Sequence, residues 1–169
     1  MKIGVISDTH DQCENILKAV KLLNQEKVEL VIHCGDWISP FTLKFYKNLK
    51  SPIKGVFGNN DGDRFYHLKY VENLKLDITF KERVLNLILG KRKILAYHGD
   101  YGKVTEELIS SGKYDAIFHG HTHISVNKIF GKTLSLNPGT FMPFTDNQIK
   151  GASFAIYESR TNSAKLIKL

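Results

Sequence analysis

Five short runs of aliphatic, β-branched and aromatic residues recur along the chain: KIGVIS, VELVIH, PIKGVF, RKILAYH and YDAIFH. Runs this short and apolar suit strands covered on both faces, in sheets with helices packed over them. Between the first two, DQCENILKAVKLLNQEK places Ile16, Leu17, Val20 and Leu23 at helical spacing and reads as an amphipathic crossover helix. SPFTLKFYKNLK begins with a capping Ser39 and with Pro40 at the first helical position, and KVTEELISSGKY reads as a further helix closed by Gly112. The order β-α-β-α-β predicts an α/β fold. LDITF, RVLNLILG and RKILAYH read as a more antiparallel stretch, and KTLSLNPGT, SFAIYES and SAKLIKL add three more strands. No repeat, low-complexity segment or linker interrupts the pattern, so residues 1–169 are expected to form one domain.

In an open α/β sheet, ligands collect beyond the carboxyl ends of the strands. The strand ends here carry Asp8 and His10 in SDTHD, Asp36 in HCGDW, and Asn59, Asn60 and Asp61 in FGNND. They continue with His98 in YHGD and with His119, His121 and His123 in FHGHTH. Of the 7 histidines only His67 stands away from a strand end. Residues two apart in an extended segment project to one side, so Asp8 with His10, and His121 with His123, read as pincers. Gly35, Gly58, Gly99 and Gly120 are expected to let the backbone turn tightly and approach a ligand. Mixed imidazole, carboxylate and amide donors suit divalent first-row metals, and the lack of cysteine among them argues against a thiolate zinc site.

Composition narrows the setting. Cys13 and Cys34 are too few for a disulfide framework and read as reduced thiols of a cytoplasmic protein, Cys34 as a small apolar residue at a buried strand end. No apolar run approaches the ~20 residues of a membrane span, and Met1-Lys2 leads into a strand rather than a signal peptide. The net charge of +7 is spread without a dense basic block, so it reads as a solvated surface that also tolerates a phosphate-bearing substrate. Neither a recognition helix nor an aromatic platform for nucleic acid is evident.

The ordered set Asp8-x-His10, Gly35-Asp36, Gly58-Asn59-Asn60-Asp61, His98-Gly99 and Gly120-His121-Thr122-His123 resembles the calcineurin-like metallophosphoesterases, and among them the short phosphodiesterase subfamily. The likeness runs from Lys2 to beyond Gly139, and five motifs in order are far more specific than any one alone. It implies a β-sandwich flanked by helices in four layers, α/β/β/α, with two metal ions at its upper edge. By motif position Asp8, His10 and His123 would hold one ion, Asn59, His98 and His121 the other, and Asp36 would bridge them. Mn²⁺ or Ni²⁺ is the expected metal, with Fe, Zn or Co as alternatives. The implied reaction is hydrolysis of a small phosphodiester by a hydroxide activated between the two ions, with Asp36, Asn59 and Asn60 at the reacting centre. Two divalent ions, two carboxylates and one hydroxide leave about +1, which matches a diester monoanion better than a monoester dianion. A phosphomonoesterase, and a protein-interaction scaffold of the same fold with or without metal, stay open as alternatives, as does self-association; the intact ligand set favours an enzyme.

Asn60 departs from the family pattern, in which a histidine commonly follows the metal-binding asparagine and helps the leaving group depart. An amide donates hydrogen bonds but transfers no proton at neutral pH. General-acid help is worth ~10²–10⁴-fold, so the departure bears on substrate range. His119 reads as a packing residue or an outer partner of the ligands, and His33 as a core residue. Asn137-Pro138-Gly139 reads equally as a plain turn or as part of the site, and Trp37 and Phe41 as a pocket wall or as cap and core.

Overall fold

Alternate residues of the first strand face opposite ways, and that alternation builds the layers. In the computed structural model, which describes residues 1–143 and 151–169, β1 (Lys2–Ile6) turns Ile3 and Val5 inward and Ile6 outward. The chain continues through α1 (Cys13–Gln25), β2 (Leu30–His33), a 3₁₀ helix (Pro40–Tyr46), β3 (Ile53–Val56), α2 (Arg64–Leu74) and β4 (Ile78–Lys81). It then forms β5 (Val84–Leu89), β6 (Arg92–Tyr97), α3 (Gly102–Ser110), β7 (Ala116–Phe118), β8 (Val126–Phe130) and β9 (Thr133–Asn137). β10 (Ser153–Glu158) and β11 (Ser163–Lys168) complete the described elements.

One sheet has the order β11-β10-β1-β2-β3-β4, the other β5-β6-β7-β9-β8. Ile3, Val5, Leu30 and Ile32 of the first meet Ile94, Ala96, Ala116 and Phe118 of the second in a shared core. Ile6, Val31 and Ile53 face outward onto Ile16, Ala19, Val20 and Leu23 of α1 and onto Leu43 and Tyr46 of the 3₁₀ helix. On the far side Leu95, Tyr97 and Ile117 pack against Leu108 and Ile109 of α3. Each such side chain contributes about 1.5–3 kcal/mol on full burial, and the sum fixes a four-layer α/β/β/α sandwich. β1, β2, β3 and β4 run parallel, as do β6, β7 and β9, so one edge of each sheet gathers strand carboxyl ends.

Several details differ from expectation. The antiparallel stretch is confined to the β5–β6 hairpin, because β4 pairs parallel with β3 in the other sheet. Leu17 is exposed, and Ala19 takes its place on the buried face of α1. SPFTLKFYKNLK forms 3₁₀ rather than α structure, though Ser39 Oγ does accept from the Phe41 amide. Helix α2 escapes the sequence pattern because it buries only His67, and edge strand β8 because it shows no buried face. Among the described residues no helix is long and apolar enough to cross a membrane.

Candidate metal centre

All seven ligand candidates meet at the shared edge of the two sheets. Asp8 and His10 follow β1, Asp36 follows β2, Asn59 follows β3, His98 follows β6, and His121 and His123 follow β7. Asp8, His10, Asp36 and His123 each offer a donor atom within 4.8 Å of the others. His10 Nε2 lies 3.2 Å from His123 Nε2, 3.3 Å from Asp36 Oδ2 and 3.8 Å from Asp8 Oδ1. A second group forms alongside: Asn59 Oδ1 is 2.8 Å from His98 Nε2 and 3.0 Å from His121 Nδ1. Asp36 faces both, since its Oδ1 is 3.4 Å from His98 Nε2 while its Oδ2 points to His10.

The donor chemistry fits a cation in each group. His98 Nδ1 donates to the Cys34 carbonyl at 2.9 Å, which leaves a lone pair on Nε2 facing the Asn59 carbonyl oxygen. Two acceptors held that close call for an electrophile between them. In the other group, Asp8 Oδ1 is fully buried with no hydrogen-bond partner, yet lies 3.4 Å from His123 Nε2. An orphaned buried carboxylate oxygen is costly unless a cation meets it.

Electrostatics agree. Burial opposes ionisation of Asp8, but His10 and His123 outweigh it and hold its carboxyl well below the usual range. Burial likewise opposes charge on His10, yet Asp36 and Asp8 prevail and raise its pKa to about 9. At neutral pH His10 therefore carries a proton that an incoming metal must displace. Metal binding is expected to release about one proton from His10 at pH 7.5, and affinity to rise with pH until about 9. Calorimetry in buffers of different ionisation enthalpy measures this, and proton-neutral binding across that range would contradict it.

The backbone corrects the pincer reading for His121 with His123, while Asp8 and His10 do share one donor group. Asp8 (φ 51°), His10 (φ 39°), Asp36 (φ 60°), His121 (φ 65°) and His123 (φ 59°) are left-handed rather than extended. His121 and His123 consequently diverge, one to Asn59 and the other to His10. Gly58 and Gly120 matter for space: a Cβ on Gly58 would lie 2.2 Å from Asp36 Oδ1, and one on Gly120 2.3 Å from Asp8 Oδ2.

Supporting residues were harder to read from sequence. The Asp61 carboxylate accepts from the amides of Asp36 (3.1 Å), Trp37 (2.6 Å), Ile38 (2.8 Å) and Gly58 (2.6 Å), so it pins two ligand loops together. Its place in FGNND was the available signal. His33 is a core residue that does more than fill space: its Nδ1 accepts from the Gly35 amide, and its Nε2 meets Thr9 Oγ1 at 3.2 Å. Burial keeps it neutral, pushing its pKa down to about 3. Asn137 is buried and donates to the Gly120 carbonyl and to Thr122 Oγ1, so it orders the histidine loop rather than marking a plain turn. His119 touches Ser135 Oγ at 2.9 Å. Trp37 is buried, stacked on His33, whereas Phe41 is exposed. Asn60 is committed to Asp36: its amide nitrogen donates to Oδ1 at 3.0 Å and its side chain to Oδ2 at 2.7 Å.

Comparison with known proteins points the same way. The model of the calcineurin-like phosphoesterase superfamily domain matches residues 1–162. Phosphodiesterase MJ0936 of Methanocaldococcus jannaschii is 39% identical over 139 residues, covering 82% of this chain and 83% of that protein. A solved archaeal phosphodiesterase superposes with a TM-score of 0.90 at 34% identity, over 100% of both chains. Wild-type Vps29 of Entamoeba histolytica, solved with zinc, shares the fold at a TM-score of 0.64 and 19% identity, over 100% of this chain and 98% of its own.

Proposed function

The chain belongs to the calcineurin-like phosphoesterase superfamily, and we propose that it hydrolyses phosphodiesters with two divalent metal ions. The observation that carries this reading is Asp36, whose two carboxylate oxygens face two separate donor groups. Asp8, His10 and His123 would hold one ion, and Asn59, His98 and His121 the other, with Asp36 shared. Mn²⁺ or Ni²⁺ suits these imidazole, carboxylate and amide donors. When bound, the ions supply Lewis acidity, activating water and offsetting charge on the phosphoryl oxygens. The free Cys13 and Cys34 accord with a cytoplasmic setting.

The chain's own residues supply position. Asp61 fixes the Asp36 and Gly58 loops, and Asn60 sets the rotation of the Asp36 carboxylate through two donors. Pre-positioned donors lose no reorganisation energy at the moment of reaction. Asn60, an amide tied to Asp36, serves this orientation rather than proton transfer. The low charge left at the centre favours a monoanionic diester over a dianionic monoester.

Metal analysis and substrate comparison test this together. Two ions per chain are expected, with kcat/KM for bis(p-nitrophenyl) phosphate at least about tenfold above that for p-nitrophenyl phosphate. A single ion at saturation would refute the shared role of Asp36. A monoester preference would refute the diester assignment.

A further inference from the structure

No stretch of the sequence reads as an aromatic platform, yet the fold gathers exposed rings on the segments that leave the candidate metal centre. Among the described residues the exposed aromatic side chains are Phe41, Phe65, Tyr66, Tyr101 and Phe130. All but Phe130 follow closely on Asp36, Asn59 or His98, on the segments that leave the ligand loops. Phe41 lies at the start of the 3₁₀ helix and Tyr66 in the first turn of α2. Their rings sit 5.6 Å apart at 63°, and Tyr70 backs both, 5.7 Å from Phe41 and 6.0 Å from Tyr66. The three rings brace one another, while Phe41 stays 55% and Tyr66 39% exposed.

Short links tie this wall to the centre. Asp11, next to His10, accepts from the Ser39 amide at 3.0 Å, and Ser39 Oγ accepts from the Phe41 amide at 3.3 Å. Phe41 lies two residues beyond Ser39, at most about 7.6 Å of Cα path. On the other side Asp63, two residues past the Asp61 anchor, caps α2 by accepting from the Tyr66 amide at 2.8 Å. The wall therefore stands on the same two loops that present Asp36 and Asn59.

We infer that Phe41 and Tyr66 form a stacking platform for a nucleobase, so that the diester taken at this centre carries a nucleoside. The inference rests on the phosphodiester reading above and narrows it. A braced aromatic face next to a phosphodiester site selects a flat aromatic substituent, and a glycerol ester offers none. The common phosphodiester substituent with such a face is the nucleobase. One stacked base corresponds to about fivefold to 150-fold in affinity.

The test uses two probes, a dinucleoside phosphorothioate and its counterpart with both bases replaced by hydrogen. Charge and sugars are then constant, and the slow-cleaving linkage lets calorimetry on the Mn²⁺-loaded full chain read binding. The base-bearing probe is expected to bind at least about fivefold tighter. That preference should fall below about twofold in Phe41→Ala/Tyr66→Ala, and also in Phe41→Leu/Tyr66→Leu, which keeps apolar volume and so guards against misfolding. Phe130→Ala, on the remote edge strand, should keep it. Equal affinities in the wild type, or a preference that survives both double variants, overturns the platform. So does a wild-type dimer that either double variant converts to monomer, because a second copy would then cover the wall. Turnover of bis(p-nitrophenyl) phosphate, run in parallel, separates the two readings. Equal affinities with intact turnover sink the platform alone; a retained base preference without turnover sinks the hydrolase reading alone.

Discussion

Exhaustive chelation should bring hydrolysis of bis(p-nitrophenyl) phosphate down to the uncatalysed rate, and added Mn²⁺ or Ni²⁺ should restore it. The side chains that converge at the sheet edge are suited to meet a cation: an orphaned carboxylate oxygen on Asp8, facing imidazoles on His10 and His123, and a lone pair on His98 aimed at the Asn59 oxygen. Without a cation that arrangement holds a doubly carboxylate-flanked imidazolium at His10, which cannot itself polarise a phosphoryl group as two ions do. The expected loss is the bulk of the catalytic acceleration, typically ~10⁶-fold or more. Thermal unfolding supplies a second readout. Ions that bind only the folded chain stabilise it, so on the two-ion proposal Tm should drop on chelation and recover with metal. Full turnover by a chain shown by mass spectrometry to be metal-free would end the two-ion proposal.

Asp36→Asn is the substitution expected to cost most, at least about 10³-fold in kcat/KM, beyond the ~10–100-fold typical of losing an outer partner of a ligand. Asparagine matches aspartate in shape, so the fold should survive. It offers one acceptor where two are needed, and its amide NH₂ would face either the Asn60 amide donors or the His10 side. One donor group then loses its share of the carboxylate, and metal content should fall from two ions toward one. His119→Ala is the comparison. That imidazole bonds Ser135, and burial holds it neutral with a pKa lowered to about 4, so its loss should affect packing more than chemistry. If both variants are folded and His119→Ala proves the more damaging, the assignment of Asp36 as the shared ligand is wrong.

What could be read in advance follows from which interactions are local. The unbroken apolar runs around Ile3, Val5, Leu30 and Ile32 announce buried sheets, because a strand covered on both faces needs apolar residues at successive positions. The convergence of the candidate ligands was legible because few chemistries put histidine, aspartate and asparagine at successive strand ends. Helix α2 was not, since His67 alone is buried on it and no apolar stripe forms. The anchoring role of Asp61, a residue named at its strand end, was hidden for another reason: its four backbone donors come from loops separated in sequence, and only the folded chain brings them to one carboxylate. The Phe41–Tyr66 wall is likewise a product of tertiary contact between two helices. The pincer reading held for Asp8 and His10 but failed for His121 and His123, because it took strand geometry past the strand's end, where the chain has already turned left-handed.

That left-handed backbone also limits what evolution or an engineer can do with the centre. Aspartate, asparagine and histidine are the non-glycine residues that tolerate positive φ best, and they are also competent metal donors. At Asp8, His10, Asp36, His121 and His123 both demands fall on one position, so the repertoire of acceptable replacements is smaller than coordination chemistry alone allows. A β-branched residue there would add strain of order 1–3 kcal/mol to the lost ligand. Retuning metal preference by exchanging ligands is therefore easier at Asn59 and His98, whose backbones do not adopt positive φ, than at the other five. On the two-ion proposal, drift in metal specificity across descendants of this sequence should begin at those two positions.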